Sequence, residues 1–265
     1  MRARASTSTS SQWRFHLSSG GQLADPVAEG GRIGGTAQER GAALRLAGGV
    51  AVALRCPSAK EPPLRRSYAD IDLVTVGGSR EATAALLEEL GYVADREFNA
   101  LHGSRRLLFW DPLHERQLDV IVDEARFCHR IDLRPRLERS ALTLPLADLL
   151  LMKLQVVETN RKDLIDVCAI LADHDLSGDE SGVNSAYLAS LAASDWGLWR
   201  TLGMVAERGE EFAAGLPGFE RGEIVAARLR QLRAELDAAP KSRGWKMRAR
   251  IGDRKRWYEL PEEVG

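Results

Sequence analysis

The chain has 265 residues, of which 44% are hydrophobic, and its 37 basic and 38 acidic side chains give a formal net charge of -1. That is enough apolar material for a sizeable core, while no apolar run approaches the roughly 18 residues a membrane span needs, so fibrous and membrane-spanning classes are excluded. The opening MRARASTSTSSQWRFHLSSG lacks the apolar stretch of a secretory signal, and Cys56, Cys128 and Cys168 form no CxxC pair. Both features point to a reducing, cytoplasmic setting without a disulfide framework or structural zinc.

Residues 1–36 are rich in Ser and Thr and then in Gly, through GGRIGG, and predict a disordered leader. LRLAGG (44–49) followed by VAVALRC (50–56) predicts a strand, a tight turn and a helix. After the proline-bearing loop CPSAKEPPLRRSY (56–68), DIDLVTV (70–76) alternates polar and apolar residues like a half-buried strand. SREATAALLEELGY (79–92) predicts a helix capped by Ser79 and closed by Gly91. RRLLFW (105–110) and QLDVIVD (117–123), joined by DPLHER, predict an antiparallel strand pair. From Pro145 onward, PLADLLLMKLQVVETN and RKDLIDVCAILADHD predict consecutive helices, with more at about 184–194, 196–214 and 221–238. The expected organisation is α+β: a mixed unit over 37–140, a helical unit over 141–240 and a basic, aromatic tail over 241–265.

The sharpest chemical feature is Asp70-Ile71-Asp72. In a strand the side-chain period is two, so both carboxylates leave one face while Ile71 and Leu73 leave the other. Two such anions about 5 Å apart repel by about 3 kcal/mol at an effective dielectric near 20, a cost that a divalent cation reverses. All-oxygen ligation suits magnesium or manganese; the plainer alternative is a solvated strand face. Gly48-Gly49, between strand and helix, suits either a plain tight turn or the close approach of backbone N–H groups to a phosphate. Asp119, in RQLDVIVD, projects opposite Leu118 and Val120 and is either at a solvated edge or held by a metal or partner.

LRLAGGVAVALR followed by RRSYADIDLVTV resembles the hG(G/S) helix and hDhDh strand of the polymerase-beta-like nucleotidyltransferase superfamily, with a later strand supplying a third acid. Within it, GGVAVAL, Arg66 four residues before Asp70, DID, and a helical lysine followed by RKDLID resemble the AbiEii/AbiGii toxin branch. The resemblance spans roughly residues 40–175 by the motifs that carry it. It implies a nucleotidyltransferase-type mixed sheet with flanking helices, followed by a helical C-terminal half. It further implies Gly48 and Gly49 as the phosphate turn and Asp70, Asp72 and Asp119 as magnesium ligands. Lys153 is the implied helical lysine, with Arg161, Lys162, Asp163 and Asp166 as the branch's basic and acidic segment. Two features depart from the pattern: twenty residues separate Gly49 from Asp70, and Val50 follows the turn where a hydroxyl residue is usual.

The activity so implied is transfer of a nucleoside monophosphate from an NTP to an acceptor hydroxyl, with loss of pyrophosphate. Magnesium, or manganese, is the implied metal. RNA such as tRNA, a protein side chain or an antibiotic-type small molecule are the open acceptors, and a toxin-type member would have an antitoxin partner. The alternative is a non-catalytic nucleotide- or partner-binding module on the same fold. Individual helpers have plainer readings too: Lys153 as a snorkelling lysine, Lys162 and Asp166 as a surface ion pair, Arg66 as a loop cap. His102, His114, His129 and His174 have no ligand spacing. Residues 241–256 hold eight basic side chains against Asp253 alone, near Trp245, Trp257 and Tyr258. That tail is either an RNA contact through phosphates and unpaired bases or a segment whose tryptophans dock on the body.

Overall fold

The computed structural model describes residues 21–260. Its centre is a five-stranded mixed sheet built from β1 (Leu44–Leu46), β2 (Asp70–Thr75), β3 (Val93–Ala94), β4 (Arg106–Asp111) and β5 (Arg116–Val122), in the order β1-β2-β5-β4-β3. β2 and β5 run parallel; the other neighbours are antiparallel, including the expected β4–β5 pair. A small hairpin, β6 (Glu124–Arg126) and β7 (Arg130–Asp132), follows. Ile71, Leu73, Leu118 and Val120 are fully buried on one face of the sheet, which is why the acids between them take the other face.

The helices are α1 (Pro26–Glu39), α2 (Gly48–Arg55), α3 (Arg80–Glu89), α4 (Arg96–His102), α5 (Leu146–Leu154), α6 (Arg161–Asp173), α7 (Ser185–Ser194), α8 (Trp196–Gly215), α9 (Gly222–Ala238) and α10 (Arg243–Ala249). The fold class is therefore α+β, a mixed sheet with flanking helices followed by a helical C-terminal half, as expected. Among the described residues no helix is long and apolar enough to cross a membrane.

Three expectations need correction. Within the stretch assigned to a disordered leader over 1–36, residues from Pro26 onward are helical; residues 1–20 lie outside the described part. Asp25 caps α1, its Oδ1 accepting from the Ala28 N–H at 2.7 Å, and Pro26 opens it. Gly30 and Gly34 are packing positions: a Cβ at Gly30 would sit 2.5 Å from Val50 Cγ1, and one at Gly34 2.5 Å from Leu142 Cδ1. Ile33 and Ala37 are fully buried beside them, so the helix gains from tertiary contact what its composition lacks. Second, Ser79 makes no side-chain cap; it ends a short 3₁₀ turn from which α3 continues. Third, the mixed unit does not close at residue 140. The Leu46 N–H donates to Leu142 O at 3.0 Å and the Leu144 N–H to Leu46 O at 2.8 Å, so residues after 140 cover the outer edge of β1.

The tail is docked through its aromatic side chains. Trp257 donates from Nε1 to Thr201 Oγ1 at 3.0 Å and meets Trp196 edge-on at 6.0 Å, while Trp245 meets Trp199 at 5.2 Å. Residues 261–265 lie outside the described part.

Candidate active site

β2 and β5 place Asp72 directly beside Asp119 in register, with Asp70 two positions earlier on the same face. Asp70 is exposed, Asp72 is half-buried and Asp119 is buried. The three acids therefore share one face although 46 residues separate Asp72 from Asp119 in sequence.

The glycine turn lies on top of this face. The Ala47 N–H donates to Asp72 O at 2.9 Å, tying the turn to the strand. Gly48 has φ +60°, a conformation that side chains other than glycine's resist. A Cβ there would overlap Asp72 Oδ2 outright and lie 2.9 Å from Asp72 Cβ. The residue is thus required twice, by backbone conformation and by the carboxylate beneath it. Ala47 supplies no side-chain cap to α2, which leaves the first-turn N–H groups for an anion.

Burial, reinforced by the charges of Asp70 and Asp119, pushes the Asp72 carboxyl up to about 7; Lys153 and Arg106 pull in the opposite direction. A carboxylate whose ionisation is opposed by burial and by its acidic neighbours fits a divalent cation by donor chemistry, and Asp70 and Asp72 would be the oxygen ligands. Asp119 has the right position but another partner. Arg106, on β4, reaches across with Nε 2.6 Å from Asp119 Oδ1, and its Nη2 engages Oδ2. Among the described residues no three acidic, histidine or cysteine side chains are gathered closely enough to hold a metal ion together.

The helical residues form a second cluster. Arg66 forks onto Asp166, with Nε to Oδ1 at 2.9 Å and Nη2 to Oδ2 at 2.8 Å. Lys153 Nζ lies 2.9 Å from Asp163 Oδ1 and 3.0 Å from Asp166 Oδ2. Burial opposes the charge of Lys153, but Asp166 and Asp163 outweigh it and raise its pKa. Arg66 also packs against the turn: a Cβ at Gly49 would overlap its Nη2 and lie 3.1 Å from Tyr68 Cδ1. Gly48 thus accommodates an acid and Gly49 a cation. Lys162 does not pair with Asp166; it is exposed, and Arg161 lies over the Phe212 ring at 5.3 Å, so neither joins this network. His129 donates to or accepts from Thr201 Oγ1 at 2.9 Å, a satisfied buried histidine.

Arg106 is the residue that the sequence reading passed over. The signal was present: with β4 and β5 joined by a short connection, antiparallel pairing sets Arg106 opposite Ile121, on the face of Asp119.

No protein-family model matches the chain, and no curated protein matches it in sequence. Among solved structures, the chain is similar to the STING-associated CdnE c-di-GMP synthase from Capnocytophaga granulosa, at 11% identity over 80% of this chain and 82% of that one, with a TM-score of 0.24. So low a score establishes neither a family nor an activity.

Proposed function

We propose that the protein is a metal-dependent nucleotidyltransferase that moves a nucleoside monophosphate from an NTP to an acceptor hydroxyl. The observation that carries this is the fit of Asp72, with Asp70 and Asp119 on its face, beneath a glycine turn that no side chain could replace. When bound, magnesium or manganese supplies charge for the phosphates and lowers the pKa of the acceptor hydroxyl. Asp70 and Asp72 would hold it, joined by Asp119 when Arg106 releases that carboxylate. The N–H groups at Gly48 and Gly49 bind phosphate oxygens, and Lys153 adds positive charge near the same face. Asp119, once released by Arg106, accepts the proton of the attacking hydroxyl. The acceptor oxygen then bonds to the α-phosphorus, the bridge to the β-phosphate breaks, and pyrophosphate leaves.

The finer assignment to an AbiEii-like, toxin-type enzyme acting on RNA, with an antitoxin partner, rests on Gly48-Gly49, Arg66, Lys153 and the RKDLID segment in the sequence. Labelled NTPs with magnesium and total RNA, compared between the wild type and an Asp70→Asn/Asp72→Asn variant, test the site. Transfer by the wild type alone is expected, and equal labelling by both would reject it. A second reading, a nucleotide-binding module without catalysis, is favoured by one observation, the closure of Asp119 by Arg106. Nucleotide binding with no transfer to any acceptor would select it.

A further inference from the structure

Between the start of α1, the second half of α2 and the loop that precedes β2 lies a cavity of about 630 Å³. That volume suits a small organic molecule. Its lining is apolar at Val27 and Leu54 and cationic at Lys60, Arg65 and Arg66. The one acid in the lining, Asp25, is spent on capping α1. Arg66 is closed by Asp166, so the cations left for a ligand are Lys60 and Arg65, both exposed. Tyr68 also lines the cavity, and its hydroxyl is buried without a hydrogen-bond partner.

Tyr68 also connects the cavity to the acid face. Arg66 stacks over its ring at 4.3 Å, and the pair rests on Gly49. The cavity thus adjoins the phosphate turn on the side away from Asp72. Apart from the start of α1, its lining comes from the long connection between Gly49 and Asp70, the stretch in which this chain departs from the compact nucleotidyltransferase pattern.

We propose that this cavity binds a small organic phosphate of nucleotide size, its apolar body against Val27 and Leu54 and its phosphate on Lys60 and Arg65. Its role as the acceptor substrate rests on the nucleotidyltransferase assignment; its binding does not. Two exposed cations match a phosphate, whose charge approaches -2, better than a carboxylate, which carries -1.

The test is calorimetric titration of the full chain in EDTA with AMP, adenosine and inorganic phosphate. Saturable AMP binding is expected, with adenosine and phosphate each weaker by about tenfold or more. A Lys60→Ala/Arg65→Ala variant should lose about tenfold or more in AMP affinity. Both cations are on the surface, so their removal leaves the core intact. Asp70→Asn/Asp72→Asn should bind AMP as the wild type does. Absence of AMP binding, equal binding of AMP and adenosine, or an unchanged Lys60→Ala/Arg65→Ala variant would overturn the proposal. Loss of binding in the Asp70→Asn/Asp72→Asn variant would also overturn it, by moving AMP to the acid face. AMP binding that persists in a protein with no transferase activity would instead retain the cavity and reject the enzyme assignment.

Discussion

Gly48→Ala is the substitution with the most determinate cost. The new Cβ meets two separate penalties. At φ +60° an L-residue is strained by about 1–2 kcal/mol. The Cβ also overlaps Asp72 Oδ2 and sits 2.9 Å from Asp72 Cβ, and only the first of these can be relieved by rotating a side chain. Moving the Asp72 Cβ requires β2 to shift, an overpacking cost of about 1–3 kcal/mol. The total is about 2–5 kcal/mol, measured by urea denaturation of the full chain in EDTA. In an Asp72→Ala background the oxygen overlap is gone while the Cβ contact remains, so the cost of Gly48→Ala should fall by about 1 kcal/mol or more without vanishing. A cost below about 1 kcal/mol in the wild type, or the same cost in both backgrounds, would refute the claim that Gly48 is glycine because of Asp72.

Asp166→Ala leaves Arg66 and Lys153 with a missing partner in a buried setting and should destabilise by about 3–5 kcal/mol in the same denaturation assay; a value near zero would show that the network is solvated. In EDTA the native state holds a proton on Asp72 up to about pH 7, whereas an unfolded aspartate releases it near 4. The associated stability is complete below about pH 4 and is lost as the pH rises through 7, so Asp72→Asn should stabilise the metal-free protein by about 2–4 kcal/mol at pH 8 and little at pH 4. Parallel melting curves for the two proteins across this range would exclude it. Arg106→Ala frees Asp119 and removes a positive charge from the acid face, so Mn²⁺ affinity measured by electron paramagnetic resonance should rise about tenfold, and an unchanged affinity would count against Asp119 as a ligand. Trp257→Ala undocks the tail from Trp196 and Thr201, and limited proteolysis within 243–260 should accelerate about tenfold.

The local parts of the site were legible because they obey short periods. Alternation alone puts Asp70 and Asp72 on one face of a strand, and a strand followed by two glycines and an apolar run gives the turn into α2. The convergence of Asp119 on Asp72 depends on parallel pairing of β2 with β5, which no local pattern encodes. The Arg66–Asp166 fork joins residues 100 positions apart, and without it both halves read as independent helpers or surface charges. GGRIGG is ambiguous in a different way: glycines spaced for close helix packing have the same composition as a flexible linker until Val50 and Leu142 are placed against them. The pairing of Lys162 with Asp166, plausible at i,i+4, lost to Arg66 and Lys153 because those cations reach the buried carboxylate from other elements.

The covering of β1 by residues 142–144 gives the chain an order of assembly. All three acids and the glycine turn precede residue 120, yet Leu46 lacks its outer hydrogen bonds until Leu142 and Leu144 arrive. A nascent or truncated chain ending near residue 140 would carry an open strand edge able to pair with another copy. It would also hold its acid face and Arg66 without Lys153 and Asp166. Fragments cut at that point should aggregate, and the smallest soluble piece that retains the acid face should extend through α6.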